Sequence, residues 1–133
     1  MSDQKIQTVQ SLYEAFGRGD VDFILDQLTE DVDWASCPDS AVAPWHGVRG
    51  KAEVPAFFKT LGETLQITEF TPLSFTSNET DVMVVTRWAA TAPATGKSTA
   101  MDIHHWWRFR DGKICFYRGT EDTARTQALL ATG

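Results

Sequence analysis

The sequence has few cysteines and no long apolar run. Cys37 and Cys115 lie far apart and form no CxxC pair, which argues against a metal ribbon or a redox motif. Reduced thiols in a cytoplasmic protein are the expectation for such a chain. No apolar stretch approaches the ~20 residues that cross a bilayer, and the first thirty residues lack the basic and apolar regions of a secretory signal. Neither a membrane span nor secretion is therefore expected.

Basic residues are outnumbered by acidic ones. Twelve lysines and arginines stand against 18 aspartates and glutamates, which gives a formal net charge of −6 at pH 7. A negative surface repels phosphate, so nucleic acid is not expected as a partner. The sequence also lacks a Gly-rich phosphate loop and a Gly-x-Ser-x-Gly elbow. These absences argue against nucleotide cofactors and covalent serine chemistry.

The 133 residues contain no linker-like segment and no internal repeat, so residues 1–133 are expected to form one domain. Apolar side chains recur at helical spacing from Ile6 to Phe16, which predicts a first helix. A second short apolar stripe after the candidate N-cap Asp20 predicts another helix. Asp111-Gly112 predicts a hairpin turn. Further along, the pattern predicts a strand over 32–36, a loop over 38–50, a helix over 51–62, strands over 65–77, 80–92, 97–110 and 113–121, and a terminal helix over 123–130.

This order of elements indicates an α+β fold. Helices come first and a run of antiparallel strands follows, which favours a curved antiparallel sheet with the N-terminal helices packed on its concave face. A strongly bent sheet and its covering helices enclose an apolar cavity, and such cavities bind small ligands. A small apolar molecule is therefore the expected partner.

Four segments together resemble the SnoaL-like branch of the NTF2-like superfamily. They are Tyr13 to Asp20 (YEAFGRGD), Leu28 to Trp34 (LTEDVDW), Trp45 to Gly50 (WHGVRG) and Trp107 to Ile114 (WRFRDGKI). The resemblance implies a conical barrel with a deep pocket and frequent dimers. It also implies uses that range from ketosteroid isomerases, polyketide cyclases, epoxide hydrolases and dehydratases to non-catalytic binders. Because one fold hosts many activities, the residues of the site must decide between them.

The catalytic residues of ketosteroid isomerases do not carry over. By the resemblance, the tyrosine of their first helix falls on Leu12, next to Tyr13. Their base falls on Ser36 or Cys37, and the acid of the third strand, which is also a catalytic aspartate in polyketide cyclases, falls on His105. A steroid-isomerase mechanism is therefore not expected, and a cyclase would need His105 in place of its aspartate.

His105 is the candidate general acid or base. Strand alternation places it on one face with Trp107, while His104 and Trp106 lie on the other. The resemblance assigns the first face to the pocket and the second to a homodimer contact. Histidine titrates near neutral pH, which suits proton transfer. The alternative is a pocket histidine that only hydrogen-bonds to a neighbour.

Two carboxylates at the end of the last predicted strand are candidate catalytic partners of His105. Glu121 and Asp122 follow that strand, and either one could orient or charge the imidazole. The alternative for Asp122 is an N-cap of the terminal helix. Asp33 alternates with Trp34 and is expected to face solvent.

The chain is rich in large aromatic side chains. Most rings of a small domain form its core, but a cavity lined by several of them would suit a planar or polycyclic ligand. Arg87 could face the cavity and pair with an acidic group, or lie exposed on the sheet. The predicted substrate-binding residues are Tyr13, Trp34, Trp45, His46, Phe57, Arg87, Trp107 and Tyr117. No metal is expected, since His46 and His105 lack a third ligand at a recognisable spacing. No cofactor is expected either, because the phosphate loop of nucleotide cofactors is missing.

The leading hypothesis is a cofactor-free acid/base enzyme that isomerises, cyclises or hydrates a small apolar, cyclic substrate. In it His105 moves the proton, Glu121 or Asp122 tunes the imidazole, and the tryptophans hold the substrate. The alternative is a binding module that sequesters a ligand without chemistry. A His105 nitrogen about 3 Å from a carboxylate favours catalysis, whereas a cavity lined only by apolar atoms favours binding.

Overall fold

A computed structural model describes residues 3–132 of the chain. The elements in order are α1 (Gln4–Gly17), α2 (Val21–Asp26), β1 (Leu28–Ser36), β2 (Gly47–Arg49), a 3₁₀ turn (Lys51–Glu53), α3 (Val54–Thr64), β3 (Gln66–Ser77), β4 (Asp81–Ala92), β5 (Lys97–Arg110), β6 (Lys113–Thr120) and α4 (Thr123–Leu130). Among the helices of the described residues, none combines the length and the apolar composition needed to cross a bilayer.

Aspartate side chains cap the starts of three helices. Asp3 precedes α1, Asp20 precedes α2 and Asp122 precedes α4, and each carboxylate accepts a hydrogen bond from a backbone N–H of the first turn. Such caps satisfy donors that have no partner within the helix. The predicted cap at Asp20 is confirmed, and of the two roles considered for Asp122 the structure shows the cap.

The six strands form one sheet in the order β2-β1-β6-β5-β4-β3. Neighbouring strands are antiparallel except β1 and β6, which pair in parallel with Trp34 opposite Tyr117. The sheet is therefore mixed, whereas the sequence predicted an antiparallel one. Periodicity identifies a strand but carries no information on the direction of a partner that is distant in the chain. The short strand β2 lies inside the loop predicted over 38–50, because its three residues are too few to show the alternation of a strand.

The sheet is curved and stays open. Its pairing register shifts between Ile67 and Glu69, between Pro72 and Ser74, and near Phe109, and such bulges bend a sheet. The row of strands ends at β2 on one side and at β3 on the other. Residues of α1, α2 and α3 face the concave side, so the expected curved α+β fold is confirmed as an incompletely closed cone.

The alternation of β5 follows the prediction. Ile103, His105 and Trp107 are buried, and His104 is exposed on the opposite face. The turn that ends β5 has positive φ angles at Asp111 (52°) and Gly112 (81°). Two consecutive positive φ angles are typical of a type I′ hairpin, which confirms the turn predicted from this dipeptide.

Trp106 on the outer face is covered by its own chain. Its Nε1 donates to Asp81 Oδ2 at 2.8 Å, and the Arg108 guanidinium lies 5.4 Å from its ring centre. Arg108 also pairs with Asp81 at 2.9 Å and holds the pKa of that carboxyl at about 2. The half-buried indole therefore needs no second subunit to shield it, and a homodimer through this face stays a prediction.

Candidate functional site

The cavity lies between α1, α2, α3 and the concave face of the sheet. Its volume is about 90 Å³, and most of its wall is aromatic or aliphatic. Eight residues predicted to be catalytic or substrate-binding line this cavity: Tyr13, Trp34, Trp45, Phe57, His105, Trp107, Tyr117 and Glu121. Their catalytic or substrate-binding roles stay predictions.

Three predicted site residues lie elsewhere. Arg87 alternates with the lining residue Trp88, so its side chain is on the outer face, where it pairs with Asp102 at 3.2 Å. Asp122 is exposed and caps α4. His46 is buried behind the wall, against Glu121.

Several lining residues were not singled out from the sequence. Examples are Phe16, Phe58, Leu61 and Phe70. The first three lie one helical turn or less from a predicted binding residue, so helical spacing was the available signal. It was not used because the same stripe also describes an ordinary core face.

Tyr13 and His105 form the central polar contact of the cavity. Tyr13 Oη lies 2.6 Å from His105 Nδ1, and Trp107 Nε1 donates to the same oxygen at 3.3 Å. An indole N–H can only donate, so the tyrosine oxygen accepts that bond. We assign the proton of the Tyr13 hydroxyl to the contact with Nδ1. This assigns the imidazole proton to Nε2.

Both members of this pair are uncharged at neutral pH. Burial, followed by the nearby His104, lowers the pKa of His105 to about 3. Burial also raises the pKa of Tyr13 above its ordinary value of 10. Within residues 3–132, no group hydrogen-bonds to Nε2 of His105. Its N–H is therefore a free donor at the wall of an apolar cavity.

We expect His105 to make the protein less stable as the pH falls below about 6.5. The unfolded imidazole gains a proton near pH 6.5, whereas the folded one stays neutral down to about pH 3. Above pH 6.5 both states are neutral and there is no penalty. Below it, the free energy of unfolding falls by ~1.4 kcal/mol per pH unit on account of this group.

Urea unfolding at pH 5.0, 5.5, 6.0, 6.5 and 7.5 measures this dependence. His105→Gln removes the buried imidazole, so its free energy of unfolding is expected to fall less steeply with decreasing pH than that of the wild type. His104→Gln is the matched control, since His104 is exposed on the same strand. Equal slopes for the wild type and His105→Gln would contradict a buried neutral imidazole.

Glu121 is the carboxylate of the cavity wall. Its Oε1 accepts a hydrogen bond from Trp45 Nε1 at 2.9 Å, and its Oε2 accepts one from the hydroxyl of Thr126. His46 Nε2 lies 3.1 Å from Oε1 but is not aligned for a hydrogen bond. These contacts fix Glu121 in place.

The carboxylate expected beside His105 is not found in the described part of the chain, where Tyr13 occupies that position. The two residues come from α1 and β5, which are 92 positions apart, so spacing along the sequence gave no sign of the pair. A neutral imidazole that is held by a tyrosine acts as a hydrogen-bond donor rather than as a charged acid. The cavity thus offers one oriented N–H to an oxygen of a ligand.

Comparisons with known proteins agree with this architecture. The sequence model of the SnoaL-like domain family matches residues 9–117. An NTF2-like protein of unknown function from Burkholderia pseudomallei is 27% identical with a TM-score of 0.90, and the match covers 98% of this chain and 100% of that one. No curated protein matches this chain.

Two more distant structures share the fold. TerC, crystallised with polyporic acid, is 23% identical with a TM-score of 0.85 over 96% of this chain and 98% of its own. A protein from Xanthomonas campestris described as a putative polyketide cyclase is 21% identical with a TM-score of 0.77 over 96% and 97% of the two chains. At these identities the comparison shows a shared fold and nothing beyond it.

Proposed function

Because this chain belongs to the SnoaL-like domain family, we propose that its cavity binds a small apolar molecule that carries a carbonyl oxygen and activates that oxygen for isomerisation or cyclisation. The observation that carries the proposal is the 2.6 Å contact between Tyr13 Oη and His105 Nδ1, which leaves Nε2–H as a donor into an apolar space. The reported ligand of TerC and the description of the Xanthomonas protein support a small organic substrate.

His105 activates the substrate by donating a hydrogen bond. Negative charge develops on a carbonyl oxygen when a neighbouring C–H gives its proton to a water molecule or hydroxide ion, or when a nucleophile adds, and a fixed donor stabilises that charge. The raised pKa of Tyr13 opposes release of its proton, so Tyr13 orients the imidazole. Trp107 in turn orients Tyr13 through its indole N–H. The donor is thus held in place before the substrate arrives.

The size of the cavity limits the substrate. Its volume of about 90 Å³ is below the ~150 Å³ of a cavity known to accept benzene and below the ~300 Å³ of a typical ligand pocket. A polycyclic molecule of the kind expected from the aromatic residues therefore does not fit without movement. Phe16 and Phe58 contribute to both this cavity and a neighbouring groove of about 430 Å³. We expect rotation of these half-buried rings to join the two spaces when a ligand enters.

Exchange of carbon-bound hydrogen tests the proposal without knowledge of the natural substrate. We expect the protein to accelerate deuterium incorporation next to the carbonyl of small cyclic ketones in D₂O, followed by NMR. His105→Ala is expected to reduce this acceleration about 100-fold, since that is the typical effect of removing one such donor. Binding, followed by tryptophan fluorescence, is expected to persist because the apolar wall remains. His104→Ala is the matched control on the exposed face.

A second function is favoured by the absence, among the described residues, of a carboxylate beside His105. In that alternative the cavity binds the same molecules and does no chemistry. Ketone binding by the wild type without faster exchange would support the binding module. Equal exchange rates in the wild type and His105→Ala would contradict the role given to the imidazole.

A further inference from the structure

Three side chains of metal-binding type meet at the cavity wall and directly behind it. They are Cys37, which follows β1, His46 from the loop after it, and Glu121, which follows β6. One ligand atom of each lies within 4.8 Å of the others. The side chain of His46 has no solvent exposure, and that of Glu121 is 11% exposed. The cluster is thus shielded from bulk water.

One ring nitrogen of His46 contacts a serine hydroxyl, and the other faces Glu121. Its Nδ1 lies 2.9 Å from Ser40 Oγ, which fixes the ring, while the buried Nε2 has no aligned hydrogen bond to any of residues 3–132. Nε2 is nevertheless 3.1 Å from Glu121 Oε1. A buried polar atom without a partner is costly. A histidine that binds a metal through one nitrogen characteristically holds a polar partner through the other.

Cys37 is held in an unusual backbone conformation at this place. Its φ angle is +39°, in the left-handed region that residues other than glycine seldom adopt. The backbone N–H of Cys37 donates to the carbonyl oxygen of Gly119 at 2.8 Å, which ties the cysteine to the end of β6. Strained backbone of this kind is concentrated at functional positions.

We propose that Cys37, His46 and Glu121 bind one Zn²⁺ ion. Bond lengths of ~2.3 Å to sulfur and ~2.1 Å to nitrogen and oxygen place tetrahedral ligands about 3.3–3.7 Å apart. His46 Nε2 and Glu121 Oε1 are 3.1 Å apart, and the two separations from Cys37 are no greater than 4.8 Å, so small side-chain movements would bring the three atoms to these distances. Binding of the ion releases the proton of the Cys37 thiol to solvent, and the resulting thiolate and the Glu121 carboxylate neutralise the two charges of the ion. The fourth position is left to a water molecule. The hydrogen bonds from Trp45 and Thr126 orient the carboxylate as outer partners.

The ion would act as a clamp in the wall rather than on the substrate. Of the three ligands, only Glu121 lines the cavity. Cys37 and His46 bracket the loop between β1 and β2, and Glu121 connects β6 to α4. One ion would thus join this loop to the end of β6. The competing arrangement is the direct contact of His46 with Glu121, with no ion bound.

Cobalt absorbance tests the site. The purified protein is stripped with a chelator and titrated with Co²⁺. We expect visible bands of tetrahedral cobalt and a near-ultraviolet thiolate-to-cobalt band, both lost on addition of Zn²⁺. Cys37→Ser is expected to abolish the thiolate band and His46→Gln to weaken Co²⁺ binding at least about tenfold, by analogy with the loss of supporting groups at other sites.

Cys115→Ser is the matched control, since it removes the other cysteine, which lies outside the cluster. It is expected to leave both bands and the Co²⁺ affinity unchanged. Far-ultraviolet circular dichroism of each variant shows whether it has folded, and the wild-type titration stands on its own if Cys37→Ser does not fold. Absence of cobalt bands in the wild type would overturn the proposal in favour of the paired His46 and Glu121. A thiolate band lost in Cys115→Ser and kept in Cys37→Ser would also overturn it.

Discussion

Replacement of Trp34 by alanine is expected to lower the free energy of unfolding by about 3–5 kcal/mol, the range found for buried Trp and Phe residues. Trp34 is 2% exposed and packs against rings from α3, β5 and β6. Its closest ring neighbour is Tyr117, with 4.3 Å between ring centres. Alanine would leave a cavity in the centre of this cluster, which the strands cannot close without breaking their pairing. Urea unfolding at pH 7.5 measures the loss.

Trp34→Phe is the matched control. The indole Nε1 of Trp34 is buried without a hydrogen-bond partner in the part of the chain that the structure describes. Phenylalanine removes that unsatisfied donor and keeps most of the ring, so the expected loss is less than half that of alanine. A phenylalanine variant as unstable as the alanine variant would show that the indole nitrogen makes a bond that the packing does not reveal.

The second large effect is expected at Gly119 in β6. A Cβ atom added there would lie 2.2 Å from Tyr117 Oη and 2.9 Å from Tyr117 Cζ, far inside contact distance. Tyr117 is buried between Trp34 and Trp107, so its ring cannot simply turn away. Gly119→Ala is therefore expected to cost about 3 kcal/mol, at the upper end of the usual range for overpacking. The loss is measured by urea unfolding.

Two further variants isolate the cause. The Cβ atom of Gly17→Ala, at the end of α1, would meet no atom of another described element within 4 Å, so this variant is expected to have little effect. Tyr117→Phe removes the oxygen nearest the new Cβ atom, so Gly119→Ala should cost less in that background than in the wild type. Equal costs in both backgrounds would mean that the tyrosine hydroxyl is not what excludes a side chain at Gly119.

Local patterns in the sequence were sufficient to predict most of the helices, strands and turns. The cap at Asp20, the Asp111-Gly112 turn and the alternation of β5 each depend on neighbours in the chain, and all three are confirmed. The parallel pairing of β1 with β6 depends on residues some 83 positions apart, such as Trp34 and Tyr117, and no local pattern encodes it. The direction of pairing was therefore the part of the fold that could not be predicted.

The candidate site likewise has features that a local sequence pattern predicts and features that depend on distant parts of the chain. The inward direction of His105 follows from alternation along one strand, but its contact with Tyr13 requires the packing of α1 on the sheet. For Arg87 the information was present, because the neighbouring Trp88 is the larger apolar side chain and takes the inward position. The meeting of Cys37 with His46 depends on the path of an irregular loop, which spacing does not describe.

The pairing of β1 with β6 also determines when the protein can fold during its synthesis. During synthesis β1 leaves the ribosome first of the six strands, and its partner β6 leaves last. Until β6 emerges, the side of β1 opposite β2 has open backbone groups, and β3 to β5 form a separate meander. Contacts of such long sequence separation slow folding and expose strand edges to aggregation. The nascent chain is therefore expected to complete its sheet only after β6 has left the ribosome.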